Sequence, residues 1–143
     1  ARAIMSAKRK KQPIETTSQL REIVEQVVLR TKPENPKEAV KKTCQRVFQA
    51  LRIDVNSEFE VLDSFLEALP HILKPGGKAA ILTFHSGEDR MVKKSFQYYA
   101  REGIYSDIAK DVIRPSAKEC ASNPRARSTK FRWAVRSDVQ KYE

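Results

Sequence analysis

Apolar positions first recur along the chain with helical spacing, then shift to short strand-like runs. Leu20, Ile23, Val24, Val27 and Val28 lie three or four apart, so they share one face of a helix capped at Thr17. Thr31 to Pro36 carries two prolines and reads as a connector. Val40, Cys44, Val47, Phe48, Leu51 and Val55 then line one side of a helix beginning near Lys37. Phe59, Leu62, Phe65, Leu66 and Leu69 continue the pattern from Ser57. Pro70 ends or kinks that helix, because it has no backbone N–H to donate. Upstream, Ala1 to Gln12 has helix-forming composition and stops at Pro13.

The period changes after Lys74. Pro75-Gly76-Gly77 is the strongest turn signal in the chain. Ala79 to Phe84 carries almost no polar side chain, which predicts a strand covered on both faces, as in a parallel sheet. Ser86 with Asp89 three residues on reads as an N-terminal capping pair. Met91, Val92, Phe96 and Tyr99 supply the buried face of the helix that follows, and Gly103 its end. A short strand is expected at Asp111-Val112-Ile113, a turn or helix start at Pro115-Ser116, and a polar loop over Ser122 to Ser128. Lys130 to Arg136 alternates. Phe131, Trp133 and Val135 are expected in the core, with Lys130, Arg132 and Arg136 in water. The order is helices, then strand, helix, strand, strand: an α/β chain.

Charge changes what such a chain can be expected to bind. The 143 residues carry a formal charge of +10, with an isoelectric point near 9.8, which favours a polyanionic partner. Lys8-Arg9-Lys10-Lys11 is a basic cluster, and Lys42, Arg46 and Gln49 form a stripe flanked by Lys41 and Arg52. Either is an RNA contact or simply a solvated helix face. Cys44 and Cys120 are far apart and form neither a zinc nor a disulfide pattern, so reduced thiols are expected. Cys44 reads as a small packed hydrophobe. The four glycines form no glycine-rich nucleotide loop. No apolar run reaches the ~20 residues of a membrane span, and the start at Ala1 reads as a cut end.

Ligands of open α/β sheets sit beyond the carboxyl ends of strands, which makes Phe84, His85 and Ser86 the substrate-pocket candidates. His85 is a proton acceptor, a stacking wall, or a hydrogen bond that fixes the turn; Ser86 reads as the helix cap. Glu88 and Asp89 complement the helix dipole and oppose a phosphate at that helix end. Arg90 pairs with one of them or reaches RNA. His71, just past Pro70, reads as a local polar group. Asn123-Pro124-Arg125-Ala126-Arg127-Ser128 is the leading RNA-contact stretch, since two guanidinium forks suit phosphate oxygens. Its alternative is a structural loop pinned by carboxylates.

The stretch Thr83-Phe84-His85-Ser86-Gly87-Glu88-Asp89-Arg90 is similar to the Ser-Phe-His-Ser-Leu-Glu-Asp-Arg signature of the MraW family. Phe48 to Asn56 and Asn123 to Ser128 match that family too. The resemblance runs from residue 1 to Arg136 and covers the family's C-terminal portion. It implies an S-adenosylmethionine-dependent methyltransferase acting on cytidine N4 in small-subunit ribosomal RNA. The implied fold is the C-terminal part of a doubly wound, Rossmann-like sheet preceded by a helical insertion. Residues 1–56 would be part of that insertion, 57–137 the end of the core and 138–143 a frayed tail. The donor would be held mainly by an N-terminal half outside the chain, with no cofactor or metal ligand here. Such a reaction demands neither a metal nor a covalent nucleophile, and the sequence displays no metal-ligand cluster. RNA-contact candidates are Arg46, Arg52, Arg90, Asn123, Arg125 and Arg127. The implied partner is ribosomal RNA or the small subunit, with no membrane, in the cytoplasm or alternatively a chloroplast or mitochondrion. A second reading is a non-catalytic, basic RNA-binding α/β module. The implied strand order leaves one edge of 79–84 open, so the chain is expected to self-associate there or to need the missing half. Gly87 departs from the family's Leu, which loosens the first helical turn.

Overall fold

Residues 1–138 are described by a computed structural model, and they fall into two units, Ala1–Ser57 and the residues from Glu58 onward. In the first unit α1 spans Arg2–Arg9, α2 Thr17–Leu29 and α3 Pro36–Val55. α1 stops short of Gln12, and Lys11 takes a positive φ of 53° before the proline. Thr16, not Thr17, caps α2. Its Oγ1 accepts from the Gln19 N–H at 3.2 Å while Gln19 Oε1 accepts from the Thr16 N–H at 3.0 Å. The spacing from Gln19 selects Thr16, because a capping box closes over three residues. Asn35 caps α3 and Pro36 occupies its first turn, where a missing N–H costs nothing. Val24, Val28 and Val40 form the core of this helical hairpin, with Ala39, Cys44 and Val47 packed against them.

The second unit contains α4 (Glu58–Ile72), β1 (Lys78–Thr83), α5 (Ser86–Arg101), β2 (Tyr105–Ile108), α6 (Ala117–Ser122), a 3₁₀ turn (Pro124–Ser128) and β3 (Lys130–Arg136). The sheet order is β1-β3-β2, with β3 antiparallel to both neighbours. The architecture is mixed α/β. α4 runs two residues past Pro70, whose ring is fully buried; so near the helix end the missing N–H breaks little. Leu66, Leu69, Val92, Phe96, Ala79, Tyr105 and Ala134 form one core, in which α4 and α5 cover one face of the sheet.

Three strand expectations are corrected. β1 pairs with antiparallel β3 and, among the described residues, is covered on one face only: Ala79 and Thr83 are buried while Ala80 and Leu82 are exposed. The second strand is Tyr105–Ile108, not Asp111–Ile113; Ile113 makes only an isolated bridge to Phe131. Tyr105 decides this, being 2% exposed with its ring edge-on to Phe96 and Tyr99. Finally, β3 is turned over. Arg132 and Ala134 are buried, whereas Phe131, Trp133 and Val135 are only half-buried on the opposite face. Alanines opposite one another, Ala79 and Ala134, leave room for α5 to approach. Arg132 is tolerated in the core because Asp89 of α5 meets it with two bonds, Nε to Oδ1 at 2.8 Å and Nη2 to Oδ2 at 3.2 Å. The expected loop at 122–128 is the end of α6 and the 3₁₀ turn. Of the expected frayed tail, residues 139–143 lie outside the described residues.

Two outcomes follow from this core. Asp89→Ala leaves a buried guanidinium unpaired and is expected to destabilise by about 3–5 kcal/mol, whereas Asp89→Leu with Arg132→Met is expected to be near neutral. Denaturant melts of the three chains check this. Burial, with a smaller contribution from Tyr99, pushes the Tyr105 phenol from 10 up to about 12, against a lowering by Arg136. The native state therefore favours the neutral phenol. Its stabilising contribution is fully present below pH 10 and is lost as pH rises towards 12. Tyr105→Phe is expected to remove that part of the alkaline decline in melts between pH 9 and 12.

Candidate functional site

β1 delivers its last residues to the start of α5. Thr83 is buried, Phe84 is 57% exposed, and His85 caps the helix in an extended conformation. The expected cap, Ser86, is instead the exposed first helical residue. His85 takes the role because its Nδ1 accepts from the Glu88 N–H at 3.4 Å. Glu88 reaches back, its Oε2 accepting from the Phe84 N–H at 3.1 Å. The exchange resembles a capping box displaced one residue towards the N-terminus. Phe84 to Glu88 are thereby held as one rigid turn.

The imidazole is further fixed from the side. Phe59 of α4 sits edge-on to it, with centroids 5.8 Å apart and planes at 77°. Gly87 makes that contact possible, since a Cβ there would lie 2.9 Å from Phe59 Cζ and 3.2 Å from the imidazole. Phe59 thus fills space beside the position where the family signature carries Leu.

Nδ1 accepts from the Glu88 N–H, and Nε2 is a buried atom 3.3 Å from Glu88 Oε1. Ligand atoms of Glu58, His85 and Glu88 all lie within 4.8 Å of one another. The sequence displays no such cluster, because folding brings Glu58 to the turn from nearly thirty positions away. The arrangement orients an imidazole between carboxylates.

The other candidates are on other elements or further along α5. Arg90 is exposed on α5, and its neighbour Asp89 pairs with Arg132 instead. Arg46 and Arg52 are exposed on α3 of the first unit. Asn123 caps the 3₁₀ turn, its Oδ1 accepting from the Arg125 N–H at 3.2 Å. Arg125 and Arg127 are exposed on either side of the buried Ala126. Among the described residues no carboxylate pins either guanidinium. Sequence reasoning missed the back-reaching role of Glu88 and the part played by Phe59. The three-residue spacing from His85 to Glu88 could have signalled the first; nothing signals the second.

Two glycines shape the turn before β1. Gly76 takes a left-handed φ of 70° in the turn before β1, and a Cβ there would lie 2.8 Å from Asp138 Oδ1. A Cβ on Gly77 would lie 2.7 Å from the Lys74 carbonyl oxygen. Both glycines serve the tight turn into β1.

Residues 1–137 match the MraW methylase family, and the chain belongs to it. It is 61% identical over 138 residues to ribosomal RNA small subunit methyltransferase H 1 of Lachnoclostridium phytofermentans, covering 96% of this chain and 37% of that protein. The protein of the same name from Agathobacter rectalis is 62% identical over 138 residues, covering 96% and 40%. Ribosomal RNA small subunit methyltransferase H 2 of Alkaliphilus metalliredigens is 56% identical, covering 96% and 39%. The chain therefore spans about two fifths of the length of these curated relatives.

The packing at Gly87 makes a testable exchange. Gly87→Leu drives a side chain into Phe59 and is expected to destabilise by about 1–3 kcal/mol. Adding Phe59→Ala should recover much of that loss, a coupling that a double-mutant cycle of thermal melts measures.

Proposed function

We propose that this member of the MraW methylase family is part of an S-adenosylmethionine-dependent methyltransferase that modifies N4 of a cytidine in small-subunit ribosomal RNA. The observation that carries the reading is the rigid turn at the carboxyl end of β1, built from the family signature. The names of the relatives support the substrate class. The donor supplies an electrophilic methyl group. The relatives are much longer than this chain, and the proposal assigns the donor's binding mainly to polypeptide outside it. The share of this chain is to bind RNA and orient a base.

Phe84, His85 and Ser86 are the proposed pocket wall. Phe84 offers an exposed aromatic face on which an unstacked base can lie. His85 acts as a positioning residue, its imidazole locked by Glu88 and Phe59. Arg125 and Arg127 are the leading phosphate contacts, with Arg46, Arg52, Arg90 and Asn123 as further candidates. Asn123 contributes in the proposal by holding the arginine-bearing turn.

The open face of the sheet supports a larger, doubly wound parent. Ala80, Leu82, Phe131, Trp133 and Val135 share that face by register, and a depression of about 410 Å³ lies against Ala80, Trp133 and Val135. The second edge of β1 has no strand partner among the described residues. In the proposal the rest of the parent covers both; without it, the chain self-associates there, since open strand edges template pairing. No helix among the described residues is long and apolar enough to cross a membrane, which accords with a proposed cytoplasmic setting. A non-catalytic RNA-binding module is the second reading, favoured by the scarcity of glycine in the chain.

Isothermal titration of the 143-residue chain is expected to show no micromolar binding of S-adenosylmethionine. Binding to a small-subunit RNA fragment should weaken steeply with salt, and Arg125→Ala with Arg127→Ala should reduce the logarithmic salt slope by about 0.9 per lost contact. The full-length polypeptide should form N4-methylcytidine on small-subunit RNA. RNA binding without that product would leave the second reading standing.

A further inference from the structure

We infer that the groove between α2 and α3 is a seat for an unpaired stretch of RNA, with a base stacked on Phe48 and phosphates on Lys37, Lys41 and Arg21. The inference rests on the RNA reading above and gives it a second site, separate from the arginine-bearing turn.

The groove encloses about 730 Å³, within the size range of small-molecule sites. Its lining comes from two stripes. α2 contributes Arg21, Glu25 and Leu29 at four-residue spacing, and α3 contributes Lys37, Val40, Lys41, Cys44 and Phe48. The connection at residues 30–35 is short, so α3 returns antiparallel to α2. Leu29 consequently lies near Lys37, and Arg21 lies at the Phe48 end. The core valines below are buried, yet Leu29 is 44% exposed and Phe48 is half-buried. An apolar floor is thus left open to solvent.

Its rim chooses the occupant. Arg21, Lys37 and Lys41 are exposed cations with no ion pair among the described residues, and Glu25 is the one carboxylate in the lining. Glu38, which could have neutralised the rim, is paired with Lys42 at 3.6 Å. Phe48 lies eleven positions after Lys37 on α3, about 16 Å along the helix, enough for a few nucleotides. Aromatic faces flanked by cations are how proteins hold single strands without reading a duplex. A purely apolar partner would leave three cations at its edge without counter-charges.

Cys44 supplies a direct measurement on the unaltered chain. Its thiol is free and lies in the groove, while Cys120 is free in the other unit and serves as the internal control. A saturating unpaired oligoribonucleotide of about a dozen bases is expected to slow alkylation of Cys44 about tenfold and leave Cys120 unchanged. A blunt RNA duplex of equal length should protect far less. Phe48→Leu should weaken the unpaired oligonucleotide about tenfold without changing the salt slope. Lys37→Gln with Lys41→Gln should reduce that slope by about 1.4. RNA that binds, weakens on loss of Arg125 and Arg127, yet leaves Cys44 fully reactive would overturn the groove and leave the RNA reading intact. Absence of any RNA binding would overturn both. Protection of Cys44 that rises with protein concentration and needs no RNA would assign the groove to contact between copies instead.

Discussion

The second unit depends on one buried ion pair. Arg132 sits on the central strand, faces the core and is 7% exposed. Asp89 approaches it from the first turn of α5 with both carboxylate oxygens. A charge so placed is costly alone and tolerable only when paired with good geometry. The pair therefore fixes two things together: which face of β3 meets the helix, and how α5 is rotated over the sheet. Slipping β3 by one residue would bury Phe131 or Trp133 and strand the carboxylate.

That constraint reaches the candidate site through sequence adjacency. Asp89 follows Glu88, and Glu88 clasps the Phe84 backbone while its own N–H is held by His85. The core pair thus anchors the turn from below, and Phe59 buttresses the imidazole from the side. Phe84 and Ser86 are left facing solvent on a support with little freedom. In the proposed reading that rigidity orients a base, since misplacing a reacting group by an ångström is expensive in rate.

The basic surfaces divide between the two units. Arg125 and Arg127 project from a turn fastened by Asn123 and Ala126, while Arg21, Lys37 and Lys41 rim an apolar groove in the helical unit. In the proposed reading the first engages phosphates and the second also grips a base.

The sequence alone determined the elements that local physics controls. Helical periodicity located α2 to α5, proline and glycine marked the breaks, and the signature around His85 identified the family. Local contacts within one turn suffice for such decisions. Others needed the tertiary fold. Alternation in Lys130–Arg136 correctly indicated a strand, but hydrophobicity assigned its buried face to Phe131, Trp133 and Val135. The fold buries Arg132 and Ala134 instead, because Asp89 compensates the charge and small side chains admit α5. The cap moved from Ser86 to His85 because Phe59 and Glu88 position the imidazole, and β2 formed at Tyr105 because Phe96 and Tyr99 receive its ring. Each depends on partners distant in the chain or in another element. A residue's own polarity does not disclose such partners.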